Sequence, residues 1–349
     1  MNLISLIATI QYFKTFCIGI LGAYAFRFFV CVLSIQLTGC TGNLNNTESV
    51  DAFIEHMASS HQFDKEKLYV LFDSVDIKDD ILKKISAPAE SLPWYKYRKI
   101  FLTEARINNG VKFWRQNEQV LSAIQQQYGV PAEIIVAIIG VETSYGQNTG
   151  KYRIIDALST LAFAYPPRSK FFLGELGKYL LVCRDENRDP LEPTGSYAGA
   201  MGVPQFMPSS FISYAVDFDK DGRKDIWHDN KDVIASIGNY FSQHGWQKDR
   251  EIAFSLAENE KDYGILFDDL KPDLRIDKLQ SIISKISGSV PLNTKVKLLG
   301  LKQEHGEELW ATLDNFYVIT RYNHSPLYAM AVFQLSQAIS NKKQSASYE

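Results

Sequence analysis

The stretch Ile134-Ile135-Val136-Ala137-Ile138-Ile139-Gly140-Val141 is apolar at every position. A single acid, Glu142, follows it, and then Thr143-Ser144-Tyr145-Gly146. A run of this kind has no polar stripe, so as a helix it must be covered on all sides by other elements. Pro131 stands at its first turn, where a missing N–H costs nothing. With 349 residues the chain can supply that cover, as one large or two to three modest domains. An unpaired carboxylate at the end of such a run is costly to bury. Burial would raise its pKa and hold the proton on near neutral pH, the state a general acid requires. The alternative is a helix-end Glu that reaches solvent or pairs with a basic residue.

At 46% hydrophobic and 22% charged residues, the composition argues against disorder and against a polytopic membrane protein. The formal charge is -3, and residues 1–39 hold Lys14, Arg27 and no acid. Bulk electrostatics therefore give no sign of nucleic-acid binding. Residues 1–39 are almost wholly apolar and run into Leu37-Thr38-Gly39-Cys40. They read as a leader outside the fold, and their length would equally suit an uncleaved membrane anchor. The cysteines are Cys17, Cys31, Cys40 and Cys183. With the leader removed and Cys40 modified, Cys183 has no partner in the chain, which excludes a disulfide framework and leaves Cys183 as a small buried hydrophobe.

Residues 40–50 are polar and turn-rich and read as a tether. From Asp51 to about Tyr128 apolar residues recur at helical spacing (Phe53, Ile54, Met57; Leu68, Leu71, Phe72). Pro88 and Pro93 break the run before one longer helix through Phe101–Tyr128. Residues 152–250 are again mostly helical, interrupted at Tyr165-Pro166-Pro167, at Gly195–Gly202 and by an acidic loop at 217–232. Beyond Arg250, Ile252–Leu256, Lys295–Leu299 and Phe316–Ile319 read as short strands, and a helical stretch Leu327–Ile339 closes the chain.

Two further segments carry chemistry. Asp217, Asp219 and Asp221 with Gly222 reproduce positions 1, 3, 5 and 6 of an EF-hand loop, in which hard oxygens converge on Ca²⁺. Arg223 would add its backbone carbonyl and Asp225 a direct or water-mediated oxygen. His228 stands where a bidentate Glu is usual, so Asp229 or Asp232 would have to close the shell. An acidic surface turn is the other reading. In Gly195–Ser209, glycines and small residues allow close approach of backbone to a ligand. There Gln205 can donate and accept, as an N-acetyl sugar requires, while Tyr197 and Phe206 offer ring faces. By itself this segment is equally a tight structural turn.

Taken together, Glu142–Gly146, the Gly-Ala-Met-Gly and Gln-Phe-Met-Pro-Ser core of 195–209, the acidic loop, Asn239-Tyr240-Phe241, His244-Gly245-Trp246 and Arg321-Tyr322-Asn323-His324-Ser325 closely resemble the membrane-bound lytic murein transglycosylase B family. The resemblance spans residues 50–340. It implies a mainly α fold: a lysozyme-like helical core (131–250), an additional helical domain (51–130), a small β-rich domain (251–320) and a C-terminal segment (321–340) that returns to the core and the helical domain. It implies cleavage of the MurNAc–GlcNAc β-1,4 bond of peptidoglycan without water, giving 1,6-anhydro-MurNAc ends. The family's catalytic acid falls on Glu142 and its groove positions on Ser196, Gln205, Tyr240, Tyr322, Asn323 and Tyr328. Its structural calcium loop falls on Asp217, Asp219, Asp221 and the neighbouring acids; an extra residue between Trp227 and Asp232 leaves the closing ligand open, and Arg223 and Asp232 are taken to complete the set, with no catalytic cofactor implied. Val203-Pro204 before Gln205 departs from the family pattern. Leu37–Cys40 resembles a lipobox with Cys40 as the lipidated residue, and Thr41 after it implies sorting to the outer membrane. The expected location is therefore periplasmic, anchored in the inner leaflet of that membrane, with glycan strands as the partner and cell-wall synthesis or division proteins as further candidates.

An ordinary glycosidase uses two carboxylates. Only Glu142 stands in a convincing catalytic setting, since Asp156, Glu175 and Asp185 lie in unremarkable helical surroundings. The expected nucleophile is then the 2-acetamido oxygen of MurNAc, oriented by Ser196 or Asn323, with the sugar's C6 hydroxyl closing the anhydro ring. A hydrolytic muramidase and a catalytically silent peptidoglycan-binding lipoprotein are the rival readings.

Overall fold

The computed structural model describes residues 44–86, 92–259, 270–279, 291 and 293–346; the leader and Cys40 lie outside them. Seven helices come first: α1 (Leu44–His61), α2 (Lys65–Asp73), α3 (Asp79–Ser86), α4 (Trp94–Phe101), α5 (Glu104–Gln116), α6 (Glu118–Tyr128) and α7 (Ala132–Thr143). A two-residue strand β1 (Tyr152–Arg153) leads into α8 (Ile154–Ala164) and α9 (Ser169–Asp185). It pairs antiparallel with β2 (Thr194–Gly195), and α10 (Pro208–Tyr214) and α11 (Asn230–Gln243) follow. The strands β3 (Ala253–Asn259), β4 (Leu274–Arg275), β5 (Lys295–Lys302) and β6 (Glu307–Thr312) form an antiparallel sheet in the order β3-β6-β5-β4. Helices α12 (Asp314–Tyr322) and α13 (Pro326–Ser345) end the fold.

The all-apolar run is the central helix. In α7 every residue from Ile134 to Val141 is buried, and α5, α6, α11 and α13 pack around it. Each large aliphatic side chain removed from water there contributes roughly 1.5–3 kcal/mol. One hydrophobic cluster continues from Phe53 on α1 through α7 to Ile339 on α13. The sheet has a separate small cluster of Leu256, Ile276, Val296, Leu309, Ala311 and Leu313. A buried side chain, Asn315, makes the joint: its Oδ1 accepts from Gln247 N–H at 2.8 Å, and its Nδ2 donates to the Gln247 and Arg250 carbonyls at 2.8 and 3.2 Å.

Four expectations are corrected. Helix α1 begins at Leu44, so the second half of the expected tether is helical; a helix extends backward from its first buried residues without any packing penalty. The long helix of 101–128 is two, α5 and α6, because Thr103 caps the first (its hydroxyl accepts from Arg106 N–H at 3.2 Å) and the chain turns at Asn117. Phe316–Ile319 is not a strand but the middle of α12, with Phe316, Val318 and Ile319 buried. Four consecutive apolar residues do not distinguish a strand from a buried helix turn. The true partner strand, β6, is the unpromising Glu307-Glu308-Leu309-Trp310-Ala311-Thr312, held by pairing with β3 and β5 on both sides. Finally, Asp156 and Glu175 are buried rather than unremarkable. Asp156 accepts from Arg153 at 2.8 and 2.9 Å and from Asp76 N–H at 3.1 Å, and Glu175 from Lys178 at 3.0 Å and Ser209 N–H at 2.9 Å. Their oxygens are engaged in bracing.

Among the described residues no helix is long and apolar enough to cross a membrane. Cys183 is buried with a free thiol, and burial pushes its pKa up to about 12.

Candidate active site

Helix α7 stops abruptly after Thr143. Ser144 and Tyr145 both take left-handed backbone angles, φ 50° and 64°, and their N–H groups close the helix by donating to the Gly140 and Ile139 carbonyls at 3.2 Å each. Two successive non-glycine residues in this region store strain, of the order of 1–3 kcal/mol each, and such strain gathers at functional sites. Thr143 ties the helix end to the glycine-rich segment: its hydroxyl donates to the Val203 carbonyl at 3.2 Å and accepts from Gly146 N–H at 3.0 Å. The glycine-rich segment is thus held against the end of the helix that carries Glu142.

Glu142 is half-buried, and desolvation of its carboxyl pushes its pKa up to about 7. The opposing influence is one hydrogen bond, from the Tyr328 hydroxyl to Oε1 at 2.5 Å. Tyr328 is itself buried in the first turn of α13, where Ser325 caps the helix by accepting its N–H at 3.3 Å. Burial and the nearby charge of Glu142 hold the hydroxyls of both Tyr328 and Tyr322 well above their ordinary pKa. Removing the Tyr328 hydroxyl takes away the one interaction favouring the ionised carboxylate. Tyr328→Phe should therefore move the alkaline limb of the kcat/KM profile to higher pH. A limb that stays put or moves down in a pH–rate series would contradict the assignment.

A further tyrosine, Tyr97 on α4, shares this environment: burial and the charge of Glu142 raise its pKa, and its charge in turn acts on Tyr328. The sequence reading missed it. The signal available was its place three residues after Trp94 and four before Phe101 on one helix face, which marks a core-facing position but no role.

The remaining expected groove residues occupy distinct positions. Ser196 Oγ accepts the N–H groups of Ala198 and Ala200 at 3.2 and 3.0 Å, so only its O–H remains to donate to a ligand. Gln205, with φ 53°, donates through Nε2 to the carbonyls of Thr149 and Gly202 at 3.0 and 2.8 Å and keeps Oε1 as an acceptor. The expectation that it both donates and accepts is reduced to acceptance. The Tyr322 hydroxyl donates to the Pro204 carbonyl and that of Tyr240 to the Arg321 carbonyl, each at 2.6 Å. These two rings lie 4.8 Å apart, and His244 stacks on Tyr240 at 4.0 Å. Together they brace 204–206 against α11 and α12. Phe206 is buried under them and offers no open face, whereas Tyr197 is exposed. Asn323, at the exposed end of α12, has no side-chain hydrogen bond among the described residues.

In the acidic loop, carboxylates of Asp217, Asp219 and Asp221 come together, and Asp219 also meets Asp229 and Asp232. Gly222 stands at φ 90°, the sharp turn that the sixth position of such a loop needs. Asp217 accepts from the N–H groups of Asp221 and Gly222 at 3.2 and 3.0 Å, and buried Asp232 braces the loop through Phe218 and Asp225 N–H, both at 2.8 Å. His228 turns away to Asp225 at 3.3 Å. The donor set is all hard oxygen and carries an excess of negative charge met locally by Lys231 on Asp219 at 3.0 Å, which fits a Ca²⁺ ion.

Comparison with known proteins agrees with this architecture. A sequence model of the transglycosylase SLT domain matches residues 45–337. The membrane-bound lytic murein transglycosylase B of Escherichia coli strain K12 is 44% identical over 310 residues, covering 85% of this chain and 84% of that protein. Among solved structures, the soluble lytic transglycosylase SltB1 of Pseudomonas aeruginosa is 46% identical with a TM-score of 0.80, over 85% of this chain and 99% of that one. The Escherichia coli lytic transglycosylase Slt35, solved in complex with calcium, is 42% identical with a TM-score of 0.78, over 86% of this chain and 94% of that one. The helical, lysozyme-like architecture is common to them. Matched over most of its length in sequence and in structure, this chain belongs to the transglycosylase SLT domain family.

Proposed function

We infer that the protein is a peptidoglycan lytic transglycosylase, a lyase that cleaves the MurNAc–GlcNAc β-1,4 bond and leaves 1,6-anhydro-MurNAc ends. The observation that carries this reading is the half-buried Glu142 carboxyl at the end of α7, which has no ion pair among the described residues and one oxygen occupied by Tyr328; desolvation pushes its pKa up to about 7. With Oε1 accepting from Tyr328, the proton resides on Oε2, available to the glycosidic oxygen. As that bond breaks, the MurNAc acetamido oxygen attacks the anomeric carbon. The Glu142 carboxylate then takes the proton from the C6 hydroxyl as that oxygen displaces the acetamido group and closes the anhydro ring, which restores the acid. The free O–H of Ser196, the amide of Asn323 and Oε1 of Gln205 are suited to hold the acetamido group. The rings of Tyr97, Tyr240, Tyr322 and Tyr328 around this site would exclude water from a bound sugar, which disfavours hydrolysis. The engagement of Asp156 and Glu175 in bracing contacts further supports a one-acid mechanism over a hydrolytic muramidase.

The acids Asp217, Asp219 and Asp221, the Arg223 carbonyl and Asp232 would hold a structural Ca²⁺, with Asp229 beside them; the calcium-bound Slt35 supports this. The named membrane association of the Escherichia coli relative supports lipidation at Cys40 and a periplasmic site at the inner leaflet of the outer membrane. We propose a division into 51–130, 131–250, 251–320 and a returning 321–340; the sheet's separate hydrophobic cluster supports the third of these units alone. Cell-wall synthesis or division proteins are further proposed partners.

Mass spectrometry of products from purified peptidoglycan, with residues 41–349 beside Glu142→Gln, tests the reading. Anhydro ends from the parent and none from the variant are expected. Reducing ends, heavier by one water, would establish hydrolysis instead. Absence of product from a folded, calcium-loaded parent would favour a binding protein.

A further inference from the structure

We propose that Arg106 is a positioning residue of this active site, clamping the helix that carries Tyr97 to the turn that follows Glu142. Arg106 lies in the first turn of α5 and its guanidinium is partly buried. Nη1 donates to the Ile100 carbonyl at the end of α4 at 2.6 Å, and Nη2 donates to Ser144 Oγ at 2.8 Å. The Phe101 ring lies 5.2 Å from the guanidinium carbon. The Arg106 carbonyl in turn accepts the Tyr145 hydroxyl at 2.9 Å. Both left-handed non-glycine residues after α7 are thus held by one residue of α5, Ser144 through its side chain and Tyr145 through its backbone.

The Tyr145 ring reaches that carbonyl through a notch that exists because residues 110 and 140 are glycine. A Cβ at Gly110 would stand 2.6 Å from the Tyr145 hydroxyl oxygen, and one at Gly140 2.5 Å from it. The notch, the turn and the arginine are therefore one assembly, built at the point where α4, α5 and α7 meet.

Among the described residues Arg106 makes no ion pair, and burying a cation opposite neutral acceptors alone is unfavourable. Its guanidinium is suited to the place because a planar fork spans two acceptors that a point charge cannot span together. Ile100 lies about one helical turn after Tyr97, and Ser144 two residues after Glu142. The clamp thus sets the distance between two groups near enough for the charge of Glu142 to act on Tyr97. Because a guanidinium stays protonated, the clamp holds unchanged across the range in which Glu142 titrates.

This inference rests on Glu142 as the acid. The test measures kcat, KM and their pH profiles on purified glycan strands for Arg106→Lys, Ser144→Ala and the double variant, beside Glu142→Gln. A lysine reaches one acceptor. Arg106→Lys should lower kcat about 10- to 100-fold, the loss expected of a misplacement near 1 Å, with KM changed less than about twofold. The alkaline limb should move to lower pH as the Glu142 carboxyl becomes better hydrated. Ser144→Ala should do the same by removing the other half of the clamp, and the double variant should be little worse than either. An unmoved pH profile in folded variants, even with a lower melting temperature, would reduce Arg106 to a structural role and overturn the inference. Near-parent turnover by Glu142→Gln would defeat the assignment of the acid itself, whatever the Arg106 variants do.

Discussion

At pH 8, Glu142→Gln should turn over glycan about 10²- to 10⁴-fold more slowly than the parent, yet melt at a higher temperature. The two effects have one cause. Burial raises the pKa of the folded carboxyl to about 7, above its ordinary value of 4.5. Below pH 4.5 the group is protonated in folded and unfolded chains alike and contributes no pH-dependent difference. Between the two pKa values the unfolded chain releases its proton while the folded one keeps it, so stability falls as pH rises. Above pH 7 the folded carboxyl is ionised as well, and the full penalty, about 3 kcal/mol at most, is in place. Glutamine has the shape of the protonated acid and no charge to bury. The melting temperatures of parent and variant should therefore be close at pH 4 and diverge by several degrees by pH 8. Calorimetry at both values checks this, and a gap independent of pH would mean that Glu142 is not held neutral by its surroundings. Catalysis and stability oppose each other at this residue because the dry setting that keeps the proton on also makes its loss costly.

Calcium should have the opposite character, stabilising without touching the chemistry. Asp219 belongs to both carboxylate groups of the loop, and in them it meets Asp217, Asp221, Asp229 and Asp232. Lys231 supplies single positive charge there, through an exposed ion pair worth little. An ion that binds the folded loop alone adds about 2.7 kcal/mol when present at 100 times its dissociation constant. The melting temperature should rise with added Ca²⁺, and chelation should return it. Asp219→Asn should abolish the rise while leaving the calcium-free protein close to the parent, because it relieves repulsion as it loses the Lys231 pair. Turnover measured well below the melting temperature should not change with chelator, since no residue of the Glu142 site is a candidate ligand. A melting curve indifferent to both calcium and chelator would count against the loop as a metal site.

How far each feature was legible depended on the range of the interactions behind it. The central helix was readable because eight consecutive apolar residues leave burial on all faces as the stable outcome. Glu142 was readable because it is the acid that ends that run. The metal loop was readable because its ligands are local, and glycine at the sixth position marks the turn. Phe316–Ile319 was misread because local pattern does not separate a strand from a buried helical turn, and β6 was missed because its pairing partners, not its residues, make it a strand. Asp156 and Glu175 were misjudged because their partners come from other segments: Asp76 lies eighty residues before Asp156, and Ser209 thirty-four after Glu175.

By itself, then, the sequence determined the helical class, the central helix with its terminal acid, and the order of the family's motifs, all consequences of periodicity and short-range spacing. The family resemblance placed Tyr322 and Tyr328 in the groove, and the tertiary structure decided which side chain touches the acid. Tyr328 reaches Glu142 across 186 residues of chain, and Tyr97 arrives from a helix whose aromatic pattern reads only as core. It also decided that Gln205 and Tyr240 direct donors into the wall, and that Arg106 bridges two helices. A pKa near 7 is a property of enclosure, and enclosure comes from elements distant in sequence whose packing no local pattern encodes.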